Sequence, residues 1–382
     1  MTYNSVGQLI GARDAKGNVA NYEYDTAGRM TKIDYPHDTD VTMSYDALGR
    51  LSTKTDGLGT TEYSYDNLNR LTSEDGPWEN DTISYNYDAL GRQTALSING
   101  STQAAYSYDA FDRLTQVSSG AQNFGYSYNG ASSQLTQLTL PGGGKTEYSY
   151  DAMQHLTQVQ SLKSDGTTNL AKFDYSYNTR DVRTSVEKQI GANAAQTVNY
   201  TYDTTDQLTK ELSTEQNPTL NKEYSYDAMG NRITSSVSGA STSYTSNNLN
   251  QITQTTLGGN NTAITYDANG NMTAEGNKTF GYNDADQLTS IVIQNQKKSE
   301  FVYDSDGRKR ISKEYTWDAA ANAGAGAWIS PSPPSSPTAA GAPPSSPTTP
   351  WGAPPKSLTH PATMWSRPTT PKSPCGWPAS WA

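Results

Sequence analysis

Tyrosine and small polar residues alternate in short runs along this chain, and each run ends at the same kind of break. Residues 62–75, EYSYDNLNRLTSED, are typical: Tyr63 and Tyr65 stand two apart, followed by an acidic residue, a polar turn and a second run around Leu71. Period-two spacing puts both rings on one face of a β-strand. An Asp or Asn next in line starts a turn, because its side-chain oxygen accepts from the backbone N–H two residues on. Gly or Asn follows at Gly28, Gly49, Asn69, Gly91, Gly270 and Gly307, where a tight loop calls for positive φ. The pattern predicts a hairpin: a Tyr-x-Tyr strand, a short turn and a return strand carrying Leu51, Leu71 or Leu114.

The unit recurs. The residue after the second aromatic is Asp25, Asp46, Asp66, Asp88, Asp109, Asn129, Asp151, Asn178, Asp203, Asp227, Asn247, Asp267, Asn283 and Asp304, most of them 20 to 22 residues apart. Second turns such as DGLG (56–59), SING (97–100) and LPGG (140–143) join one copy to the next. Gly, Thr, Ser, Asn and Tyr dominate and make poor helix surfaces. The expected fold is all-β: a repetitive antiparallel hairpin meander forming a curved or spiralling sheet, stabilised by neighbour on neighbour. Cross-strand aromatic pairs would add about 0.2–1 kcal/mol each. The positions expected to build the repeat are Tyr24, Asp25, Gly28 and Arg29; Tyr45, Asp46, Gly49 and Arg50; Tyr65, Asp66 and Arg70; Tyr87, Asp88, Gly91 and Arg92; Tyr108, Asp109 and Arg113; Tyr150 and Asp151; Tyr226 and Asp227; Tyr266, Asp267 and Gly270; and Tyr303, Asp304, Gly307 and Arg308.

The copies YEYDTAGRMT (22–31), MSYDALGRLS (43–52), YNYDALGRQT (85–94) and ITYDANGNMT (264–273) resemble the YD repeats of Rhs proteins, which Tc-toxin B/C cocoons and teneurins share. The resemblance covers about residues 3–315. It implies a spiralling β-sheet that closes as part of a hollow shell, with the rest of an Rhs-type shell and its C-terminal toxin or effector cargo as partners. It also implies intercellular competition and a secreted or cell-surface setting. Toxin-type members end the shell in an Asp-Pro-rich self-cleaving segment. No Asp-Pro dipeptide occurs here, so the expectation is a fragment of a longer protein, an arc of wall.

Composition narrows the picture. Apolar residues make up only 33% of the 382, and 26 Tyr against 5 Phe suits a wetted wall better than a filled core. A net charge of −10 argues against nucleic acid, which asks for a basic footprint. The single cysteine, Cys375, leaves no internal disulfide or Cys-based metal cluster. Residues 1–18 read as no signal peptide, and no apolar run is long enough to insert in a membrane. The language changes after Tyr315: 15 of the 19 prolines lie between Pro331 and Pro378. The expected organisation is a repeat region (1–315), a linker (316–330) and a disordered Pro/Ser/Ala-rich tail (331–382), the tail being either a true stalk or a frameshifted reading.

No catalytic, cofactor or metal constellation stands out. His155, in DAMQHLT, reads as a surface turn residue, and LPGGGKTEY (140–148) lacks the spacer of a phosphate loop and reads as a hairpin turn. The acidic turns RDAKGN (13–18), YDANGN (266–271) and YDSDGR (303–308) are explained by turn-forming Asp, with calcium as the alternative. Asp/Arg pairs such as Asp46 with Arg50 and Asp66 with Arg70 are expected to bridge the turn and fix its shape. An exposed tyrosine face would stack on sugar rings, so a cell-surface carbohydrate-binding adhesin using Tyr63, Tyr65, Tyr85 and Tyr87 is the alternative to a non-enzymatic shell wall.

Overall fold

In the computed structural model, residues 1–213, 221–321 and 326–330 are described. They form 31 strands and no helix. Each strand pairs antiparallel with the next in sequence, so the molecule is a single meandering strip. The hairpin of β7 (Gly59–Tyr65) and β8 (Leu71–Asp75) shows how the sequence builds it. Asp66 N–H donates to the Arg70 carbonyl at 2.9 Å, and Asn69 N–H donates to the Asp66 carbonyl at 3.1 Å. This is a three-residue loop whose last residue must be left-handed. All six positions expected to carry positive φ do so, between 64° at Asn69 and 90° at Gly270.

Beyond the turn, Tyr65 faces Leu71 but Ser64 faces Ser73, so Thr72 is an extra residue on the return strand. The same shift recurs next to Tyr24, Tyr45, Tyr150, Tyr226 and Tyr303. A bulge in each Tyr–Asp hairpin adds local twist and bend, which curls the strip. Core is sparse: among the described residues the buried apolar side chains are Val41, Leu162, Val186, Val198 and Ile264, and no large side chain is fully enclosed.

The curl brings the last copies back onto the first. The turn between β25 (Asn260–Tyr266) and β26 (Met272–Glu275) rests on the turn between β2 (Leu9–Arg13) and β3 (Val19–Tyr24). There Asn269 Oδ1 accepts from the Ala15 and Lys16 amides at 2.9 and 3.2 Å, and its Nδ2 donates to Asp14 at 2.9 Å. The turn between β27 (Lys278–Tyr282) and β28 (Leu288–Ile293) rests on the one between β4 (Met30–Asp34) and β5 (Val41–Tyr45). Asp284 Oδ2 accepts from the His37 and Asp38 amides at 2.8 and 3.1 Å, while its own N–H donates to Asp38 at 2.6 Å. The turn between β29 (Lys297–Tyr303) and β30 (Lys309–Asp318) meets the one between β6 (Leu51–Asp56) and β7. Ser305 N–H donates to Asp56 Oδ2 at 2.8 Å, and Lys54 pairs with Asp306.

All three meetings are offset by 23 strands. At about 4.8 Å per strand, one circuit is roughly 110 Å around and about 35 Å across, beyond the size that barrel-lining side chains fill. The strip is therefore a spiral whose Asp-turn rim (the YD rim) seats on the rim of turns that join successive copies. Fourteen copies do more than trace an arc: they complete a circuit and overlap.

The boundary expected at 315 needs correction. β30 continues to Asp318, and β31 (Ala327–Ile329) pairs with it through Trp317 opposite Trp328. Those two rings meet edge to face, 5.0 Å apart at 68°, so aromatic packing extends the sheet into the segment expected as a linker. The Pro-rich stretch expected as a tail lies outside the described residues.

Candidate functional site

The repeated chemistry of this chain sits in the YD turns. Asp66 Oδ1 accepts from the Leu68 and Arg70 amides at 2.8 and 2.9 Å, and Oδ2 takes the Arg70 Nε at 2.6 Å. Asp25 with Arg29, Asp46 with Arg50, Asp88 with Arg92, Asp109 with Arg113 and Asp304 with Arg308 repeat the arrangement. The Arg50 amide first, then its guanidinium against a partial burial penalty, holds the Asp46 carboxyl below the usual range; Asp66 is held down in the same way. Each carboxylate is thereby spent on its own turn.

The arginine then reaches into the next copy. Arg29 lies over the Tyr45 ring at 4.6 Å, Arg50 over Tyr65 at 4.7 Å, Arg70 over Tyr87 at 4.8 Å and Arg92 over Tyr108 at 4.9 Å. Arg70 also donates to the Asp88 carbonyl at 3.0 Å. The tyrosine answers: Tyr87 Oη donates to the Leu71 carbonyl of the preceding copy at 2.8 Å, and Tyr45, Tyr108, Tyr150, Tyr226, Tyr266 and Tyr303 do the same in theirs. A cation–π contact contributes about 0.5–1 kcal/mol at an exposed site, and here it couples adjacent copies. Asp, Arg and Tyr thus form a clasp across every copy boundary that carries all three. Sequence reasoning found the Asp–Arg half and missed the Arg–Tyr half, although an aromatic 15 to 17 residues after each of these arginines was a readable signal.

The clasp varies between copies. In three copies the turn residue is Asn and the residue four further on is Gln: Asn4 with Gln8, Asn247 with Gln251 and Asn283 with Gln287. The amide nitrogen then donates to the Gln Oε1 at 2.7, 2.8 and 2.7 Å. Where the turn residue is Asp151, His155 takes the arginine's place. Its Nδ1 is 2.9 Å from Asp151, its Nε2 3.2 Å from Asp181, and its ring stacks on Tyr177 at 4.9 Å. His155 is more than a turn residue.

The hydrogen bond to Asp151 raises the His155 pKa, burial opposes it, and the charges of Asp151 and Asp181 add to the rise. A raised folded-state pKa means stability that is complete below the unfolded value of about 6.5 and is lost as pH rises through the folded value. His155→Arg should therefore flatten the fall in Tm between about pH 6 and pH 9; an unchanged slope would exclude His155 as its source.

The acidic turns hold their own amides: Asp14 accepts from Asn18 at 2.7 Å and Asp267 from Asn271 at 2.8 Å. LPGGGKTEY is a hairpin turn, closed by Leu140 N–H to the Gly144 carbonyl at 2.7 Å. Of the four tyrosines expected to stack on sugars, all are half-buried, and Tyr65 and Tyr87 have one ring face under Arg50 and Arg70. Tyr63 and Tyr85 lie beside the buried Glu74 and its partner Arg308 at the seam; burial first, then the charges of Asp306 and Glu74 at Tyr63 and of Glu74 at Tyr85, raises both phenol pKa values.

A single-strip β-spiral clasped in this way defines a class of repeat protein. The Teneurin YD-shell profile matches residues 76–168 and 166–318, and the RHS Repeat profile matches residues 3–39 and 45–77. The chain belongs to the Rhs and teneurin YD-shell family. Among solved structures, TcdB2-TccC3 superposes with a TM-score of 0.66 at 17% identity over 84% of this chain and 20% of that one. The Photorhabdus luminescens Tc holotoxin pore gives 0.61 at 15% over 83% and 19%; both likenesses are of fold. The tRNA nuclease WapA of Bacillus subtilis (strain 168) is 35% identical over 97 residues, 24% of this chain and 4% of that protein. The tRNA3(Ser)-specific nuclease WapA of Bacillus spizizenii matches equally. The chain spans a small part of each.

Proposed function

We propose that this chain is a non-enzymatic length of shell wall in a longer Rhs-type protein, and that the shell encloses a C-terminal toxin or effector. The observation that carries the proposal is the 23-strand circuit, too wide for the described side chains to fill and overlapping itself to begin a second coil. Spending the carboxylates and arginines on clasps fits a structural role, because the groups that could do chemistry are bound to their own turns. In this reading the activity of a relative named as a nuclease belongs to a region beyond the repeats, and the partners of this chain are the remaining wall and its cargo.

The test is the coding DNA on both sides of the repeats, expressed as one protein and treated with protease. Further YD copies should flank this region, and a distinct C-terminal domain should survive digestion in the native shell while being cut when expressed alone. Absence of further copies, or equal cleavage in both settings, would overturn the proposal.

A further inference from the structure

The YD turn at Asp203 lacks a cation that equivalent turns hold. Arg92 bridges the carboxylate of its own turn and the left-handed residue of the next, 2.7 Å from Asp88 and 2.8 Å from Asp112. His155 does the same, 2.9 Å from Asp151 and 3.2 Å from Asp181. At Asp267 the residue four further on is Asn271, and the cation comes from across the seam instead. Lys16 Nζ stands 3.5 Å from Asp267 and 3.6 Å from Asp286, and Asp286 is the left-handed residue of the following turn, with φ of 57°.

Asp203 lies between β19 (Gln196–Tyr202) and β20 (Leu208–Ser213). Its Oδ1 accepts from the Thr205 and Gln207 amides, both at 2.9 Å, and from the Thr205 hydroxyl at 2.8 Å; among the described residues its Oδ2 has no partner. Gln207 occupies the arginine's position. Its Nε2 leans into the next copy, 3.0 Å from where a Cβ on Gly230 would stand, much as Gln8 does at Gly28. In the Asn–Gln form the Gln oxygen takes the Asn N–H, but Asp203 has none to give, so this pair is one donor short. Tyr226 is placed as in other copies, its Oη donating to the Leu208 carbonyl at 2.9 Å, yet no cation among the described residues lies over its ring. Asp203, Gln207, Tyr226 and Gly230 line an open notch of about 440 Å³.

We propose that this notch is a socket for a lysine on the joining turn of the adjoining coil, seated as Lys16 is seated at Asp267. The proposal rests on the reading of this chain as a length of a longer wall. An ammonium there would meet the Asp203 carboxylate and the Tyr226 ring, a charge-assisted hydrogen bond and a cation–π contact together. The Asp227 carbonyl completes the set, as the Asp88 carbonyl does for Arg70 at 3.0 Å. Asp203 lies six strands, hence three copies, before Asp267. The constant offset of the seam therefore places the donor turn three copies ahead of the turn that carries Lys16.

The test uses the longer gene product, treated with a carbodiimide that joins a carboxylate to an amine in contact, and maps the new amides by mass spectrometry. Lys16 joined to Asp267 is the internal reference. Asp203 should be joined to a lysine of that upstream turn. Gln207→Arg, which supplies the cation from within the copy as Arg70 does, should remove this cross-link and leave the reference unchanged. Upstream copies with no lysine at that turn, or with one that reacts elsewhere while the reference forms, would overturn the socket and leave the longer wall standing. Absence of upstream copies would overturn both.

Discussion

Arg308→Ala is expected to lower stability by about 2 kcal/mol, more than the same change in any clasp that the seam does not cover. Arg308 Nη2 is 2.6 Å from Glu74 across the seam, and Nε is 2.7 Å from Asp304 in its own turn. Glu74 is buried, at 8% exposure. Removing the cation leaves a buried carboxylate without its partner, a change that costs about 3–5 kcal/mol when both groups are enclosed. The Arg308 side chain is 42% exposed, so water offsets part of that. Arg50→Ala removes an equivalent turn pair of 2.7 Å and a tyrosine contact without a seam partner; about 1 kcal/mol is expected. Urea midpoints compare the two. Equal losses would show that the seam contributes nothing, and Glu74→Gln should recover part of the Arg308→Ala loss by removing the stranded charge.

The second large effect concerns the Asn–Gln form of the clasp. Asp66→Asn should cost about 1–2 kcal/mol, because an amide nitrogen would then face the Arg70 Nε, donor against donor. Asp66→Asn with Arg70→Gln should regain more than half of it, reproducing Asn247 with Gln251, where donor meets acceptor at 2.8 Å. The double variant also keeps a link to the next copy, since Gln8 Nε2 donates to the Gly28 carbonyl at 3.3 Å. A double-mutant cycle measures the coupling. Simple additivity of the two losses would sink the idea that the pair is matched as a unit.

Much of this architecture was legible in the chain. Alternating Tyr63 and Tyr65, the turn-forming Asp66 and the positive-φ residue Asn69 each reflect a local rule, and local rules repeat with the sequence. What could not be read depends on long-range geometry. The bulge at Thr72 is not marked by any unusual residue, yet bulges like it bend the strip. The seam joins residues about 250 apart, as Asn269 does with Ala15; its partners follow from accumulated curvature, not from any motif. The linker expected at 316–330 was misread because the repeat's language stops at Tyr315, while Trp317 and Trp328 continue the sheet by packing alone.

The odd circuit bears on how such a gene can change length. An offset of 23 strands lets turn tips meet head on, whereas an even offset would set each tip against a gap. Unequal crossing-over between copies adds or removes two strands at a time, so parity survives every such event. Inserting one copy between residues 81 and 267 would carry Asn269 from Asp14 to His37 and Asp38, exchanging partners while tip still meets tip. Duplication can lengthen the wall without breaking its fit, and selection then has only the tip residues to rewrite.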